Sequence, residues 1–461
     1  MKTPHTPHPP HEPAPPHHRL DGDVFHEIAS GNGGPRALSL LRNAEYSRRV
    51  ILARAVVEQA ERRGGALAAQ ARDAWSLLGA AHRRAPAVVH EVLTYPSVGP
   101  TQLWALNQLM TDRSTAGPPP SVDALTAVAA AAAVRTGLPA AVRLTVHSGG
   151  LLLPSLGRAR FPLASDGEPA LVSTTSGSPT VQCGATTVRI PRERPDHALA
   201  HEDADTPWLP LRELLAPADG PALLLDDLDP HLLPGGGHPG RLTVCQWQRW
   251  RCVFEEAWQL LHSVHPGQVV EARSAYRAIV PTCAPTDRNI SSSSDEAFGC
   301  SVLSVPRSPL DLALALVHEL QHNKLSALTH LVDLVVRESG SLFYAPWRED
   351  PRPPGGLLHG VYAHMGVAQF WRRQRRASKD GATTWRAVVE FARWRDAAKE
   401  ANETLLAGGC LTEAGRRFAE QMRSTLAELA QEPVPRAATA RAKELCDEHR
   451  DRWLLNHGAR W

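Results

Sequence analysis

Two histidines and a glutamate interrupt an apolar stretch of the sequence, LALALVHELQHNKLSAL at residues 312–328. Five histidines precede a glutamate in this chain, but only His318 is followed by a second histidine, His322, at metal-binding distance. At about 3.6 residues per helical turn, these two imidazoles fall on one helix face and can bind the same metal ion. The pattern predicts a metal site with Glu319 as the candidate catalytic residue, and a pair of hydrogen-bonded core histidines is the alternative.

The third metal ligand must come from another segment, because catalytic sites commonly combine three protein ligands with open positions. Leu325 and Leu328 occupy the positions where the extended metzincin motif has Gly and His, so that class is excluded. The apolar segment GGLLHGVYAHMGVAQFW contains His359 and His364 at helical spacing. We predict His364 as the third ligand, since its neighbours indicate an inward face, with His359 as the second choice.

Other candidates for the third ligand stay open. His330 lies eight residues after His322 and points in a different direction around the same helix. A thermolysin-like site would instead use a glutamate from a following helix. Glu338 and Glu349 are the nearest such residues, but both lie in loop-like sequence.

Basic residues near the motif could bind a carboxylate-bearing cosubstrate. The Pro-rich segment SLFYAPWREDPRPPGG contains Arg348 and Arg352, and the guanidinium fork suits a carboxylate. Lys324, six residues after His318, is a further candidate. Taken one at a time, each of the three is also typical of an ordinary surface cation.

Periodicity and composition divide the chain into four segments. Residues 1–18 are rich in Pro and His and indicate a disordered tail, whereas residues 19–116 show helical spacing of apolar residues. Residues 117–240 favour a β-rich section, and residues 241–461 a helical catalytic region that contains the HExxH site. The predicted fold class is therefore α+β and helix-dominated, with a metal-binding HExxH helix and a β-rich middle section.

Charge, cysteines and hydropathy exclude several classes of function. The formal net charge is only +2, so nothing indicates nucleic acid or an anionic membrane as partner. The seven cysteines form no C-x-x-C pair, which argues against a zinc knuckle and for free thiols. The N-terminus lacks an apolar signal region, and the longest apolar run, residues 127–134, is too short for a bilayer. We expect a cytoplasmic protein.

Longer blocks of the sequence resemble a known family. The blocks VHELQHNKLSAL and FYAPWREDPRPPGGLLHGVYAHMGVAQFW resemble the α-ketoglutarate-dependent HExxH-type peptide β-hydroxylases. So do HHRLDGDVFHEIASGNGGPRALSLLRNAEYSRRVILARAVV near the start and the AIVPT and SSSSDEAFG segments before the motif. The resemblance extends over nearly the whole chain after the tail. Enzymes of this family modify ribosomally made peptides.

The resemblance implies Fe(II) rather than zinc, with 2-oxoglutarate and O2 as cosubstrates. His318 and His322 would be metal ligands and His364 would complete the set, while Lys324, Arg348 and Arg352 stay candidates for the keto acid. The implied substrate is a side-chain β-carbon of a precursor peptide. Some family members are fused to radical-SAM domains or encoded beside them, so a radical-SAM maturase is an expected partner. This chain lacks a Cys-x-x-x-Cys-x-x-Cys motif and would act as a stand-alone hydroxylase.

Two other functions compete with this interpretation. A zinc metallopeptidase would use Glu319 as the general base that activates water, which the short motif alone favours. A non-catalytic peptide binder with a degenerate site is the third possibility, and the intact motif argues against it. In a hydroxylase, Glu319 would instead orient the ligands or water around the metal.

Overall fold

The computed structural model describes residues 18–111, 119–175, 177–191, 206–215, 222–232, 240–283, 289–336 and 340–458. These residues are mainly helical, with strands concentrated in the middle of the chain, which confirms the predicted helix-dominated α+β organisation. The predicted tail lies outside the described residues, except for His18. The helices are α1 (Gly22–Ala29), α2 (Pro35–Arg63), α3 (Gly65–Arg84), α4 (Pro86–Leu93), α5 (Val98–Met110), α6 (Asp123–Thr136), α7 (Val244–Val264), α8 (Pro266–Ala275), α9 (Pro309–Thr329), α10 (Pro354–Ala377), α11 (Gly381–Ala407), α12 (Glu413–Gln431) and α13 (Arg436–His457).

The strands form three sheets. The first is antiparallel, in the order β1 (Ala141–Thr145), β4 (Pro169–Ser173), β5 (Thr180–Cys183), β6 (Thr186–Arg189). The second contains β2 (Gly150–Leu153), β3 (Gly157–Arg160) and β7 (Trp208–Pro210). The third has the order β11 (Ser291–Ser292), β12 (Cys300–Ser304), β10 (Ala278–Thr282), β9 (Ala222–Leu225), β8 (Arg212–Leu215). In this last sheet β10 is parallel to both of its neighbours.

One boundary expected from the sequence is wrong. The β-rich section does not begin at residue 117, because α6 occupies residues 123–136. Its sequence, DALTAVAAAAAVRT, is rich in alanine, the strongest helix former, and eight of its residues are buried.

Two hydrophobic clusters make up most of the interior. The first combines α1, the start of α2, the third sheet and helices α7 to α12. The second combines the end of α2 with α3 to α6 and the first two sheets. Helix α2 contributes to both, with Leu38 and Leu41 in the first cluster and Val56 and Val57 in the second. The two clusters are therefore joined through one continuous helix.

Helix α9, which contains the HExxH motif, is capped at its N-terminus and is hydrogen-bonded to residues in and beside the third sheet. Ser308 caps its N-terminus by accepting a hydrogen bond from the backbone N–H of Asp311. Asn323, one residue after the motif, donates to the carbonyl of Cys300 at 3.1 Å and accepts from Gly299 N–H at 2.7 Å. Tyr276 donates its hydroxyl proton to the carbonyl of Leu316 at 2.6 Å. These contacts hold the two motif histidines at a set distance from the sheet.

Helix α10 packs closely along α9. A Cβ at Gly366 would lie 2.6 Å from Cγ of Gln321, closer than side-chain atoms can approach, so glycine is required for the observed spacing. Gln321 is 1% exposed and donates a hydrogen bond to the carbonyl of Gly31, so it cannot move aside freely. Among the described helices, none is both long enough and apolar enough to cross a membrane.

Candidate metal centre

Helix α9 brings the two motif histidines into direct contact. Nε2 of His318 lies 3.1 Å from Nε2 of His322, and the ring planes meet at 72°. Two nitrogens bound at about 2.0–2.1 Å to one ion would stand roughly 2.9–3.4 Å apart, for angles between a right angle and the tetrahedral angle. The observed separation therefore matches that of two ligands of a single ion.

Helix α10 adds two more imidazoles to this pair. The ring centroid of His364 lies 5.1 Å from that of His318, and the ring centroid of His359 lies 5.8 Å from that of His322. Both candidates for the third ligand therefore lie beside the motif. The structure thus groups four histidines, two from each of two packed helices.

The environment of His364 suits a metal ligand better than that of His359. Nδ1 of His364 lies 2.9 Å from the carbonyl oxygen of Gly360, to which it donates a proton. That hydrogen bond fixes the tautomer and leaves Nε2 with the lone pair that a metal needs. A backbone carbonyl in this role is a common support for metal-bound histidines. No comparable hydrogen bond is made by His359 within the described part of the chain.

The four histidines are held in the neutral form that metal binding requires. Burial lowers the pKa of His318, His322, His359 and His364. For His322 the effect of burial is strengthened by the three neighbouring histidines. The side chain of His318 nevertheless keeps 21% of its surface exposed, so small molecules can reach the cluster.

Glu319 is buried beside His318. It is 1% exposed, and its Oε1 is 3.9 Å from Nε2 of His318. Its other oxygen, Oε2, is buried without a hydrogen-bond partner among the described residues. Burial raises the pKa of Tyr276 and of Cys300 well above their usual values, and the nearby charge of Glu319 adds to both shifts. The carboxylate is thus close to the sheet as well as to His318.

The histidines offer the imidazole nitrogens that a metal ion binds, although these nitrogens do not yet surround a common point. As they stand, no three His, Cys, Asp or Glu side chains in the described ranges form a group that could hold an ion. The fit rests on the separation of the His318 and His322 nitrogens, on the fixed tautomer of His364 and on the lowered pKa values of the imidazoles.

Of the three basic residues predicted from the sequence, Arg352 faces the cluster. Its charge contributes, after burial and other neighbours, to the lowered pKa values of His322 and His359. Its side chain is 33% exposed, and Nη1 donates to Asp350 at 3.1 Å. Arg348 bonds to the same carboxylate, but its side chain is 55% exposed and shows no effect on the histidines. The structure thus brings Arg352 to the site and leaves Arg348 at the surface.

Lys324 does not lie at the cluster. Its side chain is completely buried, and Nζ donates to Oε2 of Glu271 at 2.6 Å and to the carbonyl of Gly31 at 3.1 Å. Six residues after His318, the helix has turned this side chain to a different face. Because its ammonium is already paired inside the protein, Lys324 is a structural residue and we do not assign it a cosubstrate.

Two of the remaining third-ligand alternatives, His330 and Glu349, contact residues outside the histidine cluster. Nδ1 of His330 lies 2.6 Å from Oε1 of Glu45, at the C-terminal end of α9. Glu349 is exposed, and its backbone carbonyl accepts a hydrogen bond from His457. Glu338 lies outside the described residues.

Two tryptophans at the site could not be identified from periodicity. The ring of Trp347 stacks on His364 with a centroid distance of 4.3 Å, and the ring of Trp394 lies 4.6 Å away from the same imidazole. Trp394 comes from α11, and the adjacent Arg393 contributes, after burial and His318, to the lowered pKa of His364. The one sequence signal for an aromatic neighbour of His364 is Gly360, because a glycine four residues before a helical histidine leaves space for a large side chain.

The comparisons with known proteins add no constraint on this site. Models of protein families give no match to the chain, and a search of curated protein sequences gives none either.

Proposed function

We propose that this protein is an Fe(II)/2-oxoglutarate-dependent oxygenase that hydroxylates a side-chain β-carbon of a ribosomally made precursor peptide. The observation that carries the proposal is the histidine cluster, in which the Nε2 atoms of His318 and His322 are 3.1 Å apart and His364 approaches from the next helix. The choice of iron and of the keto acid rests on the resemblance of the surrounding sequence blocks to the HExxH-type peptide β-hydroxylases.

In this proposal His318, His322 and His364 hold the metal ion. Three protein ligands leave open positions for small molecules, as in non-haem iron oxygenases. The chemistry that Fe(II) supplies when bound is activation of dioxygen at the expense of 2-oxoglutarate, so that one oxygen atom enters a C–H bond and the other enters succinate. The task of the chain is to keep the three imidazoles neutral and oriented, which burial and the carbonyl of Gly360 support.

Arg352 is the proposed partner of a carboxylate of 2-oxoglutarate. Its guanidinium has five N–H donors in a planar fork, and the bond to Asp350 uses only one nitrogen. It also lies close to Gly356, in the first turn of α10, where helix N–H groups favour an anion. Arg348 is the second candidate, because it shares Asp350 and lies in the same loop.

The same proposal includes a precursor peptide as substrate, a radical-SAM maturase as partner and a cytoplasmic location. All seven cysteines are free thiols in the structure, in keeping with a reducing compartment. The formal net charge of +2 gives no reason to add nucleic acid to the partners.

A zinc metallopeptidase is the second candidate function, because one observation favours it. Oε1 of Glu319 lies 3.9 Å from Nε2 of His318, and Oε2 has no hydrogen-bond partner in the described ranges. A carboxylate so placed could act as general base toward a metal-bound water. In the hydroxylase, Glu319 would have the supporting role of orienting His318.

The deciding experiment is a mass measurement on a precursor peptide encoded near this protein. Incubation with the full chain, Fe(II), 2-oxoglutarate and air should add one oxygen atom to the peptide and release succinate. The His322→Ala variant should do neither. A peptide that is shortened, with no need for 2-oxoglutarate, would contradict the proposal and support the peptidase. Glu319→Gln separates the two further, since it should abolish peptide cleavage but leave part of a hydroxylase activity.

A further inference from the structure

The imidazole of His364 is in contact with two indoles. The ring of Trp347 is almost parallel to it, with centroids 4.3 Å apart and planes 13° apart. The ring of Trp394 lies 4.6 Å away at an angle of 45°. Trp347 comes from the loop before α10 and Trp394 from α11, so two separate segments reach the same histidine.

Gly360 makes the contact with Trp347 possible. A Cβ at this position would lie 2.3 Å from Nε1 of Trp347 and 2.4 Å from its Cε2 and Cζ2 atoms. These distances are far below van der Waals contact, so any side chain at residue 360 would displace the indole. The carbonyl of Gly360 also accepts the Nδ1–H bond of His364 at 2.9 Å. One glycine therefore supports both contacts that fix the imidazole.

Without such contacts, a histidine on a helix can rotate about its side-chain torsions and its free nitrogen can point in more than one direction. The hydrogen bond to Gly360 restrains one ring atom, but it still allows the ring plane to tilt. A parallel indole restrains the plane itself, because offset stacking of two aromatic rings has a preferred geometry. The two contacts together define where Nε2 lies.

We propose that Trp347 is a positioning residue for His364, seated by Gly360, whose indole holds the imidazole in the orientation that binds the metal ion. This inference rests on the proposed function, in that it takes His364 as the third ligand. It goes further by assigning a role to a loop tryptophan and a helical glycine that belong to no metal-binding motif.

The test uses Co(II) alone as the probe, bound to the purified full chain. Its visible absorption bands report the number and arrangement of its ligands, and a competing chelator gives the affinity. Trp347→Leu should change the absorption bands and weaken Co(II) binding roughly tenfold or more, the effect usual for residues that support a metal ligand. Trp347→Phe, which keeps a ring to stack, should restore the bands. Trp385→Leu, at a tryptophan 47% exposed on α11, is the matched control and should bind Co(II) as the parent does.

Gly360→Ala provides a second variant that does not remove the indole. Alanine favours the helix more than glycine does, so helix stability cannot explain a loss of binding. We expect the same change in the Co(II) bands as for Trp347→Leu. In a chain that already has His364→Ala, Trp347→Leu should have no further effect, because the tryptophan acts through that histidine.

The failure of this inference and the failure of the proposed function give different results. If the parent chain binds Co(II) through His318 and His322, and folded Trp347→Leu and Gly360→Ala both keep its bands and affinity, the role of Trp347 is refuted. If Trp347→Leu does not fold, Gly360→Ala alone decides. A chain that binds Co(II) as expected but never hydroxylates a peptide would refute the proposed function and leave the positioning role intact. A parent chain that binds no Co(II) refutes both.

Discussion

The ammonium of Lys324 lies 2.6 Å from Oε2 of Glu271, and its side chain has no exposed surface. This ion pair connects α9 with α8 directly behind the HExxH motif. The carbonyl of Gly31 accepts a further hydrogen bond from the same Nζ, so the loop before α2 is joined to the pair. The residue that sequence spacing proposed as a cosubstrate ligand is instead part of the structural support of the metal helix.

Replacement of Lys324 should therefore affect stability and not cosubstrate binding. Lys324→Met leaves Glu271 buried without its counter-ion, and the expected loss of unfolding free energy is about 3–5 kcal/mol. Adding Glu271→Leu removes the unpaired charge and should recover part of that loss. Urea unfolding measures both variants, with Lys399→Met, at an exposed lysine of α11, as control. A normally stable Lys324→Met with weakened 2-oxoglutarate binding would contradict the structural role.

The choice between His364 and His359 can be made by metal binding. His364→Ala should lower the affinity for Fe(II) or Co(II) by more than the roughly 10–100-fold loss usual for a residue that only supports a ligand. His359→Ala should have a smaller effect, because His359 lacks the hydrogen bond that fixes the tautomer of His364. His82→Ala, at an exposed histidine of α3, is the control. The reverse order, with His359→Ala unable to bind metal, would identify His359 as the ligand.

The close contact between α9 and α10 should make Gly366 intolerant of a side chain. The new Cβ of Gly366→Ala would lie 2.6 Å from Cγ of buried Gln321, and we expect a loss of about 1–3 kcal/mol of stability from overpacking. Gly381→Ala is the matched control, since no atom lies within 4 Å of its Cβ position. Thermal or urea unfolding distinguishes the two. Equal stability of both variants would show that the helices can separate without cost.

A pH dependence of stability should come from Asp226, a buried residue that directly follows strand β9. Burial, and then the neighbouring Asp229, raises the pKa of Asp226 to about 7. The folded protein therefore holds this proton more tightly than the unfolded chain, whose aspartate has a pKa near 4. The resulting stabilisation is complete below about pH 4, and it is lost as the pH rises through about 7.

Asp226→Asn isolates this contribution. Asparagine resembles the protonated acid in shape and charge, and its oxygen can still accept the N–H bonds of Leu228 and Asp229. Between pH 5 and 8, the parent should lose stability relative to the variant, by an amount on the order of a few kcal/mol. Urea midpoints at several pH values give the difference. Parallel curves for the two proteins would mean that Asp226 is not protonated in the folded state.

The part of the site that follows from local spacing could be predicted from the sequence. His318 and His322 are four residues apart on an apolar helix, so their common direction depends only on helical geometry. The same geometry places Lys324 on another face, because two further residues rotate a side chain by about 200°. Distance along the chain predicts a cosubstrate role for Lys324, and the rotation of the helix excludes it.

The contacts of His364 could not be predicted in the same way. Trp347 lies in a loop and Trp394 on another helix, and no periodic pattern relates either of them to a histidine in α10. Helix α6 differs, because its signal is local: the segment is rich in alanine, so helix propensity alone indicates a helix within residues 117–240. Long-range packing and weak local signals account for most of what the sequence left undetermined.

The shared helix α2 has a consequence for how this protein can be divided. Leu38 and Val56 belong to different hydrophobic clusters, although both lie on the same continuous helix. If the chain were divided at either end of α2, one cluster would lose its packing partners and expose apolar side chains to water. We therefore expect that the histidine-bearing portion, expressed by itself without the β-rich portion, would aggregate, and that the intact chain would melt in one concerted step.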